Sequence, residues 1–367
     1  MNILHLSTAR TWRGGEQQIA YLIDELNGFA NVHQQIICAK GSEMDLYCTQ
    51  KKVNAVVQTK AFTFNPFFAY KVKQICSQQR IDIIHAHDPH AHQFAVMAAD
   101  IFKNRVPIVV SRRVDFAIRN SRYTLHKYNH RCVKKIICVS KAIEQIVAKS
   151  VVDKNKLCTV YSGIDFSRFD IINTASKQLR QQYNIPQNAL LIGNVAALAP
   201  HKDYFTFIDT ARLLLDWGVD AYFIAIGDGE LRAQLAAYSQ QKGLSGRLIF
   251  TGFRNDVPLI LPQLNVFLIT SKTEGLGTSI LDAFICRVPV VATRAGGIPE
   301  LVQHNYTGLL ANVQDAAALA DAVKTLVSNP ILKKQLIDNA TQFVKTFSKA
   351  QTALQTYQIY LDVLNSK

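Results

Sequence analysis

The stretch Val266-Phe-Leu-Ile-Thr-Ser-Lys-Thr-Glu274-Gly-Leu-Gly-Thr-Ser-Ile-Leu-Asp282 decides the architecture of this chain. Val266–Ile269 has the length and apolar character of a buried strand, and a glycine-rich turn then opens a helix running to about Cys286. A strand delivered through glycines into a helix start is a βα unit, and its turn offers backbone N–H groups and the positive end of a helix dipole to an anion. Gly275 and Gly277 let a phosphate approach the backbone closely, with Leu276, Thr278 and Ser279 completing the turn. Glu274 and Asp282 stand eight residues apart, a little over two helical turns. Glu274 therefore belongs in the loop beside the anion and Asp282 deeper on the same face, one acid placed for a sugar and the other for a ribose.

The same alternation runs outward from this unit. Upstream, Asn2–Leu6, Gln35–Cys38, Val53–Gln58, Ile81–His85, Ile108–Val110, Lys135–Val139 and Leu157–Tyr161 read as strands, with amphipathic helices such as Glu16–Phe29, Pro66–Gln79 and Ala91–Lys103 between them. A poorly periodic bridge, Ser162–Asn188, precedes a second series with strands at Leu190–Val195, Ala221–Ile226, Arg247–Phe250, Val266–Ile269 and Val288–Ala292. Three helices close the chain, near Asp315–Val327, Ile331–Phe347 and Ala350–Leu364. This pattern is α/β, with open parallel sheets covered by helices on both faces. It predicts two doubly wound, Rossmann-like domains, 1–168 and 169–348, and a terminal helix, 349–367, packing back on the first. Two such domains are expected to face each other across a cleft, with ligand-binding loops at their strand carboxyl ends.

Composition narrows the function. With 49% hydrophobic and 19% charged residues over 367, the chain is globular and long enough for two cores. Seven scattered cysteines, with no C-x-x-C pair, suggest neither a disulfide framework nor a zinc knuckle and fit a reducing cytosol. The beginning Met1-Asn-Ile-Leu-His-Leu-Ser lacks signal-peptide features, and no apolar run is long enough to span a bilayer, so a cytoplasmic protein is expected. The formal charge of +14 is uneven, because residues 1–170 hold 24 Lys/Arg against 13 Asp/Glu and the remainder 17 against 14. The first half thus faces an anion. Its basic residues lack the interleaved aromatics of a single-strand binder, which argues against nucleic acid.

Further motifs sit at strand ends. Pro289-Val-Val-Ala-Thr-Arg-Ala-Gly-Gly-Ile-Pro-Glu300 runs a buried strand into a Gly-Gly turn and a short helix. Together with Glu274–Asp282 and Thr307-Gly308-Leu309-Leu310, this turn resembles the C-terminal half of the family 4 retaining glycosyltransferases, a GT-B family, and the resemblance covers nearly the whole chain. It implies that Glu274 lies by the hydroxyls of a donor sugar and that Asp282, where the family usually has Glu, binds the nucleotide's ribose. It implies that Lys202, in Asn194-Val-Ala-Ala-Leu-Ala-Pro-His-Lys-Asp203, grips the diphosphate. A departing nucleotide diphosphate needs a cation at its developing charge. Gly14-Gly15 resembles the double glycine of a loop that closes over the diphosphate, and Thr251-Gly252-Phe253-Arg254 a loop whose backbone meets the base.

Two departures from the family matter. Ala197 occupies a position where the family commonly has an arginine, so Arg112 or Arg113 is expected to supply that charge. Where the family tends to place a histidine, this chain reads Val110-Ser-Arg-Arg-Val-Asp115, and His87, within the run His85, His87, His90 and His92, is taken for an acceptor-side or donor-sugar contact. That run also suggests a metal site, but it lacks cysteines or a fixed second pair. No D-x-D pair lies in a suitable loop, and the resemblance implies a metal-independent reaction with the nucleotide sugar as substrate and no cofactor.

The expected enzyme is a retaining hexosyltransferase with Glu274, Lys202 and His87 as catalytic residues. It would act by a front-face route on a saccharide or lipid-linked acceptor in cell-surface or lipopolysaccharide synthesis. Phe67-Phe68-Ala-Tyr70-Lys71-Val-Lys73 exposes aromatics beside lysines and suggests peripheral attachment to an anionic membrane. A nucleotide-sugar epimerase of GT-B fold would not need the basic face, and a non-catalytic binder of an anionic surface would leave the acid pair and Lys202 without purpose. A dinucleotide oxidoreductase is set aside because no G-x-G-x-x-G follows a strand.

Overall fold

In the computed structural model, which describes residues 1–60, 64–174 and 178–366, the short apolar runs become two sheets in which every paired strand is parallel. The first contains β1 (Asn2–Ser7), β2 (His33–Ala39), β3 (Ala55–Gln58), β4 (Ile83–Ala86), β5 (Ile108–Arg112), β6 (Val133–Cys138) and β7 (Leu157–Thr159). The second contains β8 (Leu190–Val195), β9 (Ala221–Ile226), β10 (Leu248–Gly252), β11 (Val266–Ile269), β12 (Val290–Thr293) and β13 (Leu309–Ala311). Their orders are β3-β2-β1-β4-β5-β6-β7 and β10-β9-β8-β11-β12-β13. The strand order reverses once in each sheet, between β1 and β4 in the first and between β8 and β11 in the second. Crossovers on either side of that reversal leave a crevice at the strand carboxyl ends.

The chain divides into Met1–Gly163 with Lys349–Lys367, and Ile164–Ser348. The first break falls at 163 and not at 168. Ile164 N–H donates to the Phe347 carbonyl at 2.9 Å, and Ile164 bridges Ser348, so this residue is already fastened to the second unit. Residues 175–177 of the expected bridge and the last residue of the expected final helix lie outside the described residues.

In the second unit, helix Tyr204–Asp216 buries Tyr204, Phe207, Ile208, Ala211 and Leu214, the i, i+3, i+4, i+7 spacing of one apolar face. Phe207 meets Phe223 of β9 edge-on, with ring centroids 6.3 Å apart. Each such side chain contributes about 1.5–3 kcal/mol by leaving water. In the first unit, helix Lys349–Asn365 buries Ala353, Tyr360 and Val363 in one cluster with Ile3, Leu22 and Leu26.

Some elements differ from the sequence reading. Helix Gly14–Leu26 begins earlier than expected, because Arg13 N–H donates to the Glu16 carboxylate at 2.9 Å and closes the first turn around the two glycines. Helix Glu43–Lys51, capped by Ser42, is a polar surface helix with little apolar periodicity, and β13 is three residues long. Neither was expected.

The carboxyl ends of β11 and β12 are locked together by glycine. Gly296 has φ +50°, and a Cβ there would lie 2.0 Å from the Glu274 carbonyl oxygen. Gly297 would bring a Cβ within 2.3 Å of the Gly275 carbonyl oxygen, and its own N–H donates to the Glu274 carbonyl at 2.9 Å. Gly296→Ala is therefore expected to lower stability by roughly 2 kcal/mol or more, through a left-handed backbone and a backbone collision together. Chemical denaturation with an unchanged midpoint would contradict this packing.

Candidate active site

At the reversal of the second sheet, β8 leads to the one-turn helix Pro200–Lys202 and β11 to the loop carrying Glu274. Four hydrogen bonds stitch this region before any ligand is considered. Thr270 Oγ1 donates to the carbonyls of Lys202 and Asp203 at 3.2 and 3.0 Å, and Lys272 N–H donates to the His201 carbonyl at 2.8 Å. Thr293 Oγ1, from β12, donates to the Ser271 carbonyl at 2.6 Å. The two loops consequently bring Lys202 Nζ onto Glu274 Oε2 in an ion pair whose side chains are 17% and 13% exposed. Ser271 Oγ donates to the same carboxylate oxygen at 3.3 Å.

Beside this pair the helix Thr278–Ile285 starts at Gly277, whose φ of +89° is the left-handed conformation that glycine adopts without strain. No side chain caps this end. Backbone N–H groups at an uncapped helix start suit an anion. Thr278 and Ser279 are half-buried at its rim and Leu276 is buried beneath it. Asp282 lies on the same helix, with Oδ1 buried and lacking a partner among the described residues. Burial pushes its carboxyl up to about 6, and Arg168 opposes that rise.

Arg254 has a different commitment. Its guanidinium pairs with Asp256 through two bonds, Nε to Oδ1 at 2.7 Å and Nη2 to Oδ2 at 2.6 Å, a forked contact that shapes the loop after β10. The backbone of Thr251–Arg254 is what remains for a ligand, next to an exposed Phe253.

In the first unit, Asp88 secures the reversal. It accepts from Thr8 N–H at 2.6 Å and Thr8 Oγ1 at 2.7 Å, and from the N–H groups of His90 and Ala91 at the start of helix Pro89–Phe102. Gly14 and Gly15 are the first residues of their helix. A Cβ on Gly14 would meet nothing within 4 Å, and one on Gly15 would touch only Arg113 Cδ at 3.8 Å. Their missing side chains leave a bare helix start beside Arg113.

Arg112 and Arg113 diverge, as consecutive residues of an extended chain do. Arg112 is buried and donates to Tyr128 Oη at 3.2 Å and to the Phe116 carbonyl, which commits it to the interior. Arg113 donates to the His87 carbonyl at 3.2 Å and lies near Glu16 and Asp88. Burial lowers its guanidinium to about 10. His87 is joined by His5 of β1, His5 Nδ1 standing 2.9 Å from His87 Nε2, and the His85 ring lies 4.0 Å from the His87 ring. Nothing in the sequence singled out His5, a lone histidine in an apolar strand.

Among the described residues two groups have the spacing of a metal centre, His5 with His85 and His87, and Asp100 with His126 and His130. Hydrogen bonding argues against both. His5 and His85 already use both ring nitrogens, the latter with Tyr360 Oη at 2.5 Å and Ser111 Oγ at 2.8 Å. His130 Nδ1 accepts from Cys132 N–H at 3.1 Å, which places the ring hydrogen on the Nε2 that faces Asp100 at 3.2 Å. A ligating Nε2 would have to be bare.

Comparison with known proteins identifies the family and the fold. Residues 12–168 match the model described as Glycosyltransferase Family 4, and residues 175–343 the model described as Glycosyl transferases group 1. N-acetyl-alpha-D-glucosaminyl L-malate synthase of Bacillus anthracis is 25% identical over 87% of this chain and 85% of its own length. An Escherichia coli enzyme, UDP-Gal:alpha-D-GlcNAc-diphosphoundecaprenol alpha-1,3-galactosyltransferase, is 24% identical over 80% of this chain and 79% of its own. Among solved structures, Anabaena HepE in complex with UDP and glucose superposes with a TM-score of 0.86 at 22% identity, covering 99% of this chain and all of that one. Its fold is GT-B, and the chain belongs to the family 4 glycosyltransferases.

Proposed function

We propose that this glycosyltransferase moves a hexose-type sugar from a UDP-sugar to a saccharide or lipid-linked saccharide in cell-surface glycan synthesis, with retention at the anomeric carbon and without a metal. The observation that carries the reading is the Lys202–Glu274 pair beside the uncapped helix start at Gly277. The uridine assignment is supported by the UDP in the HepE complexes and by the UDP-galactose in the name of the E. coli relative. The acceptor class is supported by that relative's lipid diphosphate substrate and by the lipopolysaccharide core glycosyltransferase LpsE of Rhizobium meliloti, 25% identical over 81% of this chain.

In this reading the diphosphate lies against the N–H groups of Gly277–Ser279, and Lys202 neutralises the charge that develops as the sugar leaves. Glu274 orients the sugar hydroxyls and does not attack. The acceptor oxygen bonds to the anomeric carbon on the face from which the diphosphate departs, and its proton passes to the leaving phosphate oxygen. Asp282 Oδ1 accepts from a ribose hydroxyl. His87, Arg113 and the helix start at Gly14 and Gly15 belong to the first unit, His87 and Arg113 acting on the acceptor or the donor sugar and the glycines offering N–H groups to a phosphate.

Among the described residues no helix is long and apolar enough to cross a membrane. We place the enzyme in the cytoplasm, peripheral to an anionic membrane. Helix Pro66–Gln78 supports this, exposing Phe67 (78%) and Tyr70 (56%) next to Lys71 and Lys73. Aromatic rings enter the interface while lysines face lipid phosphates.

Three sets of outcomes are expected, the first on donor binding and turnover. UDP should raise the melting temperature of the wild type in EDTA but not that of Lys202→Ala. Lys202→Ala and Glu274→Ala should each lower UDP-sugar turnover on the order of 10²- to 10³-fold. A ligand shift abolished by EDTA and restored by Mn²⁺ would end the metal-independent reading, and a covalent glycosyl–Glu274 adduct would end the front-face one.

The second outcome concerns pH. With its carboxyl raised in the folded state, Asp282 costs stability when ionised. That cost is absent below about pH 4, where the unfolded carboxyl is also protonated, and is complete above about pH 6. Asp282→Asn should therefore be more stable than the wild type by about 3 kcal/mol at pH 7.5 and equal to it near pH 3.5, with UDP narrowing the gap at pH 7.5. Melting curves showing a pH-independent gap would contradict the burial of Asp282.

The third is binding to vesicles. Phe67→Ser with Tyr70→Ser should cut co-sedimentation with phosphatidylglycerol vesicles several-fold and leave the response to UDP intact. Sedimentation indifferent to anionic lipid and to salt would remove the membrane assignment.

A further inference from the structure

The hydrogen bonds around His87 can be followed proton by proton. Gln34 donates through Nε2 to the Ile23 carbonyl at 3.0 Å and to Asn27 Oδ1 at 2.9 Å, which turns its Oε1 toward His5 Nε2, 3.1 Å away. A carboxamide oxygen only accepts, so His5 Nε2 carries a hydrogen. A neutral imidazole has a single N–H, and His5 Nδ1 must accept. The group facing it at 2.9 Å is His87 Nε2, which therefore donates, and His87 Nδ1 is left as a bare lone pair. Nδ1 has no partner among the described residues.

The neutral state of the rings follows from their surroundings. Burial lowers His5 to about 4 and holds His85 and His87 well below the usual histidine range. Arg113, bonded to the His87 carbonyl, adds a cation that disfavours an imidazolium further. His85 takes no part in fixing the tautomer, since its partners Tyr360 Oη and Ser111 Oγ are hydroxyls able to donate or accept. His5 is wholly enclosed and His87 keeps 5% of its surface, with Nδ1 itself buried, so a hydroxyl reaching it must enter the space beside the ring. Of this stacked pair, only His87 has an unused nitrogen.

We propose that Gln34 and His5 are positioning residues that lock His87 in its Nε2–H tautomer, so that Nδ1 accepts a hydrogen bond from a saccharide hydroxyl bound to the first unit. The proposal rests on the transferase reading for the identity of that hydroxyl, but the tautomer does not depend on it. An unprotonated nitrogen held in a fixed tautomer by a second side chain is suited to orient a hydroxyl and receive its hydrogen bond without itself being charged.

The test is a long-range proton–nitrogen spectrum of the wild-type protein labelled with ¹⁵N-histidine, with His87 assigned through His87→Asn. From pH 6 to 8, His87 should show a protonated Nε2 and an unprotonated Nδ1. The opposite tautomer, or an imidazolium in that range, would overturn the proposal. The second arm uses UDP-glucose hydrolysis. His5→Leu should lower kcat about tenfold with little change in KM, and His5→Asn, whose Oδ1 stands where Nδ1 was, should recover most of the loss. Equal losses in the two variants would overturn the positioning role. If the wild type shows the expected tautomer yet does not turn over UDP-glucose, the donor reading fails and the tautomer lock stands on the spectrum alone.

Discussion

The second unit is organised around the ion pair between Lys202 and Glu274. Two partly buried opposite charges cost desolvation, and they hold together only where their backbones are held independently. Here that support comes from Thr270 and Thr293 hydroxyls bonded to loop carbonyls, and from two glycines that let the neighbouring turn touch the Glu274 backbone. The pair is thus a product of the parallel sheet. β8 and β11 are adjacent at the reversal of strand order, and their loops have nowhere else to go. Such pre-formed electrostatics is what transfer of a charged leaving group requires, because little has to reorganise when the charge appears.

Much of this was legible from the residues. The alternation of short apolar runs with amphipathic stretches gave two parallel sheets. The glycine-rich turn Glu274–Ser279 marked the uncapped helix start at Gly277, since its physics is local. What escaped was set by long-range contact or by parity along a strand. Arg112 and Arg113 are indistinguishable in sequence, yet the pleat sends one into the interior against Tyr128 and leaves the other beside His87. The pairing of the Arg254 guanidinium with Asp256, two residues on, was likewise not read from the sequence. His5 lies 82 residues from His87 and appears in the sequence as a polar interruption of a buried strand.

The two histidine clusters show why spacing is a poor guide to chemistry. Both place three candidate ligands together, and in both the deciding fact is which nitrogen holds the hydrogen. A backbone N–H at His130 Nδ1 and a carboxamide oxygen at His5 Nε2 settle those tautomers, and neither could be inferred from the order of residues along the chain.

The return of helix Lys349–Asn365 to the first unit has a consequence for how the protein is made. Tyr360 fills the space against His85, and Ala353 and Val363 cover the apolar faces of Ile3 and Leu22, so the N-terminal sheet remains uncovered there until the final helix has been synthesised. On the ribosome, Ile164–Ser348 is a contiguous segment that emerges whole and can fold first, while the earlier half waits with apolar surface exposed. The unit that begins the chain is thus completed only after the unit that follows it has been synthesised.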